Sequence, residues 1–154
     1  MNRLYILLTV MVVMVGALFA GHQALAKVLS GTAGDDTLVG TDTNDRFTGL
    51  RGADSLTGRD GEDRLKGSRG NDRLKGSRGA DHLWGSRGND KIIPGEGNDK
   101  IYAGAGADRI YARDTEGEDY IDCGAGFDKV ETIHRPDETL HNCERAPGPE
   151  QGDI

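Results

Sequence analysis

Between Gly31 and Glu131 one apolar residue returns every nine positions, set among polar and charged neighbours and separated from the next by a glycine-rich segment. The apolar places are Leu38, Phe47, Leu56, Leu65, Leu74, Leu83, Ile92, Ile101, Ile110, Ile121 and Val130. Two residues before each stands an aspartate: Asp36, Asp45, Asp54, Asp63, Asp72, Asp81, Asp90, Asp99, Asp108, Asp119 and Asp128. Eleven copies run from GTAGDDTLV at Gly31 to CGAGFDKVE at Cys123, and only the tenth, ARDTEGEDYID at Ala112, needs two extra residues. A fixed period is the mark of a repeat architecture, so each copy is expected to supply a glycine-rich turn, an aspartate and one inward hydrophobe.

Copies such as GSRGNDRLK at Gly67, PGEGNDKIY at Pro94 and AGAGADRIY at Ala103 resemble the hemolysin-type calcium-binding (RTX) nonapeptide family, G-G-x-G-x-D-x-U-x. The resemblance covers about two thirds of the chain and looks like a small, secreted, stand-alone member. It implies an all-β fold, a parallel β-roll or β-helix-like solenoid in which each nonapeptide gives a turn and a short strand and two copies make one coil. It also implies Ca²⁺ between loops i and i+2, with the eleven aspartates as metal ligands and a ceiling of nine such sites.

The residue types suit that cation. Calcium takes six to eight oxygens from carboxylates and carbonyls in adaptable geometry. Glycines at the first and fourth places let a turn aim carbonyls at a common centre. The alternative is a metal-free solenoid whose aspartates only cap their own turns. Three copies alone, at Pro94, Ala103 and Cys123, have glycine both second and fourth, and Thr43 replaces the fourth glycine of its copy. A non-glycine residue at a left-handed position costs about 1 kcal/mol or more. The strongest loops are therefore expected around Gly95 to Asp108 and the weakest near Thr43.

Ahead of the repeats, Arg3, the apolar run Leu4 to Ala20 and the small-x-small sequence Ala24-Leu25-Ala26 read as a secretory signal over residues 1–26. A retained membrane anchor is the competing reading, the run being near the lower length limit for a span. Export would place the protein in an extracellular or envelope setting where calcium is plentiful. The expected divisions are then 1–26 signal, 27–122 β-roll, 123–146 last repeat with a C-terminal cap, and 147–154 flexible tail. Cys123 and Cys143 are twenty residues apart, close to one coil, so stacked coils would bring them together as a disulfide stapling that cap. Free or intermolecular thiols are the alternative.

Charge changes the picture in two ways. The chain carries 19 Lys and Arg against 26 Asp and Glu, net −7, with 5% aromatic residues. By composition alone it would pass for disordered. Stacked like-charged aspartates oppose closure of the coils, so the roll is expected to be largely disordered without metal and to fold on binding it. The cations sort by parity. Third positions of odd copies read Ala33, Arg51, Arg69, Arg87, Ala105 and Ala125, while even copies read Asp42, Asp60, Arg78, Glu96 and Asp114. Seventh positions place Arg46, Arg64, His82 and Lys100 on one face beside Trp84 and Tyr102 at ninth positions. That face is a candidate for polysaccharide binding, or simply offsets the aspartates and blunts edge association. An acidic chain is a poor nucleic-acid binder, and no membrane partner is expected once the signal is removed. No G-x-S-x-G elbow, P-loop or H-E-x-x-H occurs, and His82, His134 and His141 lack zinc spacing, so no catalytic residues and no enzyme are expected.

Overall fold

The computed structural model describes residues 25–113, 117–132 and 139–143. The expected signal segment thus lies almost wholly outside the described residues, as do Asp114, His134 and residues 147–154. Among the described residues thirteen strands follow one another: β1 (Val28–Ser30), β2 (Thr37–Val39), β3 (Arg46–Arg51), β4 (Ser55–Asp60), β5 (Arg64–Arg69), β6 (Arg73–Arg78), β7 (His82–Arg87), β8 (Lys91–Glu96), β9 (Lys100–Ala105), β10 (Arg109–Ala112), β11 (Tyr120–Ala125), β12 (Lys129–Thr132) and β13 (Thr139–His141).

Odd strands form one parallel sheet in the order β1-β3-β5-β7-β9-β11-β13, and even strands form a second, β2-β4-β6-β8-β10-β12. Each strand pairs with the strand one coil away, eighteen residues on, as Phe47 does with Leu65 and Leu56 with Leu74. The two extra residues of the tenth copy are absorbed between strands, so Ile101 still meets Ile121. The result is a parallel β-solenoid with two copies per coil.

The eighth-position residues fill the space between the sheets. Phe47, Leu56, Leu65, Leu74, Leu83, Ile92, Ile101, Ile110 and Ile121 are essentially fully buried, while Leu29, Leu38 and Val130 are partly buried against them. One side chain per nonapeptide suffices because each packs on the copies before, after and opposite it. The Cys123–Cys143 disulfide is formed, with Cα atoms 5.1 Å apart and Cys123 buried, and it ties β13 onto the end of the roll.

Most strands are longer than a three-residue alternation would give, because they run through the copy boundary into the next glycine segment. Their second-position residue lies in the left-handed region. Leu50 (φ 84°), Arg59 (φ 97°), Ser68 (φ 93°), Ser77 (φ 116°) and Ser86 (φ 87°) hold it with a side chain, whereas Gly95 and Gly104 hold it freely. From Gly52 on, fourth-position glycines are also left-handed and stack closely: a Cβ on Gly70 would run into the carbonyl of Gly52.

Candidate metal centre

The turn between successive strands places the sixth-position aspartate at the inner corner of the coil. Ten of the eleven, Asp45 to Asp128, are buried, and only Asp36 in the first turn is partly open. Eighteen-residue stacking sorts them into two rows, Asp36, Asp54, Asp72, Asp90, Asp108 and Asp128 in one, and Asp45, Asp63, Asp81, Asp99 and Asp119 in the other.

Within each row one carboxylate oxygen is used in the same way throughout. The backbone N–H of each aspartate donates to Oδ1 of the aspartate one coil later, as from Asp63 to Asp81 (2.8 Å) and from Asp72 to Asp90 (2.8 Å). Lys27 N–H begins the even row by donating to Asp45. Fifth-position side chains form a second ladder of opposite sense. Asn71 Oδ1 accepts from the N–H of Asn89, and Asn98 Oδ1 from that of Glu118.

The second oxygen divides the copies into groups. In the first two, a second-position threonine occupies it: Thr32 N–H and Oγ1 donate to Asp36 Oδ2, and Thr41 N–H and Oγ1 donate to Asp45 Oδ2. From the third copy on, that threonine is gone. Among the described residues, Oδ2 of Asp54, Asp63, Asp72, Asp81, Asp90, Asp108 and Asp128 is buried without a hydrogen-bond donor. A buried carboxylate oxygen left in that state is costly, and a native fold is expected to supply a partner.

The surroundings of these oxygens are rich in further oxygen. A Cβ built on Gly76 would collide with both Asp81 Oδ2 and the carbonyl oxygen of Pro94, and one on Gly85 would collide with Asp90 Oδ2 and the carbonyl of Ala103. First-position glycine therefore leaves a cradle where a carboxylate and a carbonyl from the next coil face the same space. Gly49 stands in the same relation to Asp54 Oδ2 and the carbonyl of Gly67, and a Cβ on Gly58 or Gly67 would run into the carboxylate of Asp63 or Asp72. In later copies the first position is Pro94, Ala103, Ala112 and Cys123, and the methyls of Ala103 and Ala112 are buried there.

Electrostatics agree with the geometry. Burial, opposed by the backbone N–H donor and reinforced by neighbouring aspartates, pushes Asp81 and Asp90 up to about 7 and Asp63 and Asp108 up to about 6. Asp54 and Asp72 are raised by the same causes. A charged row at neutral pH thus calls for a positive counterpart. No group of three or more His, Cys, Asp or Glu side chains converges among the described residues, so carboxylates would serve a metal together with carbonyls. An all-oxygen donor set with spare carboxylate valence fits a hard divalent cation such as calcium.

The candidate polymer face is assembled as a ladder. Arg46, Arg64, His82 and Lys100 stand in register on β3, β5, β7 and β9, with Lys66, Trp84 and Tyr102 in the adjacent row. Trp84 and Tyr102 are stacked, with centroids 6.0 Å apart and planes within 7°. Tyr120, in register with Lys100 in the seventh-position row, and His141 continue the ring contacts at tilts of 48° and 35° and escaped the sequence reading. Burial together with Lys100 and Arg64 holds the His82 pKa below its ordinary value.

The threonines that satisfy Asp36 and Asp45 and the asparagines of the fifth position were also not singled out from the sequence. Their recurrence, GT in two copies and ND in four, was the available signal.

Compared with known families, the chain matches the model of the RTX calcium-binding nonapeptide repeat in four stretches, residues 30–65, 57–92, 66–100 and 93–130. No curated protein and no solved structure matches it.

Proposed function

The chain belongs to the RTX calcium-binding nonapeptide repeat family, and from that premise we propose that it is an exported protein whose β-roll is ordered by calcium held between stacked loops. The observation that carries this reading is the row of buried, donor-less Oδ2 atoms facing first-position glycine cradles. Asp54, Asp63, Asp72, Asp81 and Asp90 would hold the cation together with carbonyls of the following coil. Asp108 and Asp128 continue the first row and Asp99 and Asp119 the second, with the cradle partly filled by Ala103 and Ala112.

Asp36 and Asp45 are the weakest ligands of the eleven, because Thr32 and Thr41 already occupy their second oxygens. The expected weakness near Thr43 has support in this, whereas the cradles move the expected strong loops from Gly95–Asp108 toward the middle copies. Calcium when bound supplies positive charge to the aspartate rows. The chain's own part is to hold each carboxylate by the N–H of the preceding coil and to exclude water with the single-file core. Removal of residues 1–26 is the export step in this proposal, and the repeats are assigned no catalysis.

Far-UV circular dichroism of the disulfide-intact chain from Lys27 tests the proposal. Calcium, added to metal-free protein at pH 7.5, is expected to produce the β spectrum, magnesium to do so poorly, and chelator to reverse it. A β spectrum indifferent to chelator at that pH refutes it.

The in-register cations and stacked rings on the odd sheet favour a second reading, that the folded roll is also a polysaccharide-binding module at the cell surface. Retention on an immobilised polysaccharide, compared between the protein and its Trp84→Ala, Arg64→Ala and Lys100→Ala variants, tests that reading. Unchanged retention overturns it.

A further inference from the structure

We propose that the odd-copy side of the roll is a track for an acidic polysaccharide of uronate type, laid parallel to the solenoid axis. Its carboxylates would be met by Arg51, Arg69 and Arg87, and its sugar rings by Trp84, Tyr102 and Tyr120. This deepens the second reading above and rests on it.

The two loop edges of the roll treat arginine differently. On the even edge Arg78 lies in register between Asp60 and Glu96 and pairs with both, at 3.8 and 3.3 Å. On the odd edge Arg51, Arg69 and Arg87 follow one another in register on β3, β5 and β7, and no described carboxylate pairs with any of them. Strand spacing sets three like charges roughly 4.8 Å apart. Such a row opposes its own stacking and is relieved by an external anion with charges at a matching pitch.

Two cationic grooves lie on the odd strands, one on the sheet face and one at the arginine edge. A groove of about 330 Å³ is lined by Arg46, Arg64 and Lys66 together with Trp84. A second groove places Arg51 and Arg69 beside Leu50 and Ser68. Rings continue from Trp84 through Tyr102 to Tyr120, one per coil, with centroids 6.0 and 5.7 Å apart. Cations and rings thus recur with the same period along one axis, on a chain whose net charge is −7. A polymer of identical acidic units, each about as long as one coil is high, matches that arrangement. A nucleic acid matches it poorly, because the acidic remainder repels phosphate.

The test uses the calcium-loaded, disulfide-bonded protein in affinity electrophoresis through gels containing polygalacturonate, a neutral glucan or single-stranded DNA. Polygalacturonate is expected to retard it at least tenfold more strongly than either other polymer. The triple variant R51A/R69A/R87A, with its β spectrum intact, is expected to lose at least tenfold in affinity. R78A, which removes one charge from the even edge against three from the odd edge, is expected to bind as the wild type does. Equal retardation by the neutral glucan, with loss on Trp84→Ala, overturns the acidic track and leaves polysaccharide binding standing. No retardation by either polysaccharide overturns both, and stronger retardation by DNA overturns the assignment of the partner. An equal loss in R78A and the triple variant reduces the effect to net charge and also overturns it.

Discussion

Protons should substitute for calcium. Asp81 and Asp90 sit at about 7 in the folded roll against an ordinary value of 3.8. At roughly 1.4 kcal/mol per pKa unit, charging each of them above pH 7 disfavours the fold by about 4 kcal/mol. Asp63 and Asp108, raised to about 6, act in the same direction. A single such penalty is already a sizeable part of the stability of an ordinary domain, about 5–15 kcal/mol. Because the folded pKa values are raised, the folded state binds more protons than the unfolded one between pH 4 and 7. Metal-free stability must therefore fall as pH rises through that window, and level off above it. The assay is thermal unfolding by far-UV circular dichroism with chelator at pH 4.5, 6.0 and 7.5, then at pH 7.5 with calcium. We expect β structure at pH 4.5 without metal, its loss by pH 7.5, and its restoration there by calcium. The double variant D81N/D90N should imitate protonation: more stable than wild type without metal at pH 7.5, less dependent on pH, and weaker in calcium uptake. A metal-free roll that loses structure on going from pH 7.5 to 4.5 would refute the reasoning, as would a double variant with unchanged pH dependence.

Three further outcomes are expected. Gly76→Ala places a methyl between Asp81 Oδ2 and the Pro94 carbonyl, and calorimetric calcium titration should show one site lost or weakened at least tenfold; an unchanged isotherm removes the cradle from the site. Replacing Ser68, Ser77 or Ser86 by glycine relieves a left-handed φ of 93°, 116° or 87° and should stabilise the calcium-loaded roll by about 1 kcal/mol per site in chemical denaturation, whereas serine to alanine should give no gain. Cys123→Ser with Cys143→Ser opens a loop of twenty residues and should cost roughly 3 kcal/mol of stability, read as a lower denaturation midpoint, with hydrogen exchange increased first in β11 and β13.

The nine-residue period made most of this architecture legible. Once Leu65 and Leu83 are read as eighth positions, their register across β5 and β7 follows, and with it the two aspartate rows and the parity of Arg69 and Arg78. The ends were harder, because a strand without its turn has no period. Leu29 in β1 and Leu140 in β13 occupy eighth positions of incomplete copies and pair with Phe47 and Ile121. The state of each aspartate was not legible from its own position. Asp45 and Asp63 carry the same residue at the same place, yet Thr41 satisfies one and Arg59 leaves the other bare. That difference depends on the backbone at the second position: Thr32 and Thr41 lie outside the left-handed region and donate their N–H to the carboxylate, whereas Arg59 and the hydroxyl-bearing Ser68, Ser77 and Ser86 are left-handed and their aspartates stay bare.

The eighteen-residue coil gives the molecule a reading frame. Deleting one coil joins every strand to a partner of its own parity and leaves both aspartate rows, both edges and both faces in phase. Deleting nine residues would preserve the glycines and aspartates just as well while exchanging odd for even in everything downstream. Arginines from one edge would land above acids from the other, and the rings of Trp84, Tyr102 and Tyr120, now one run of contacts, would be divided between opposite sheets wherever the cut fell among them. The inner corner of the roll counts in nines, but its outer surface counts in eighteens, so a change of length that the core accepts is still a frameshift for whatever meets the surface.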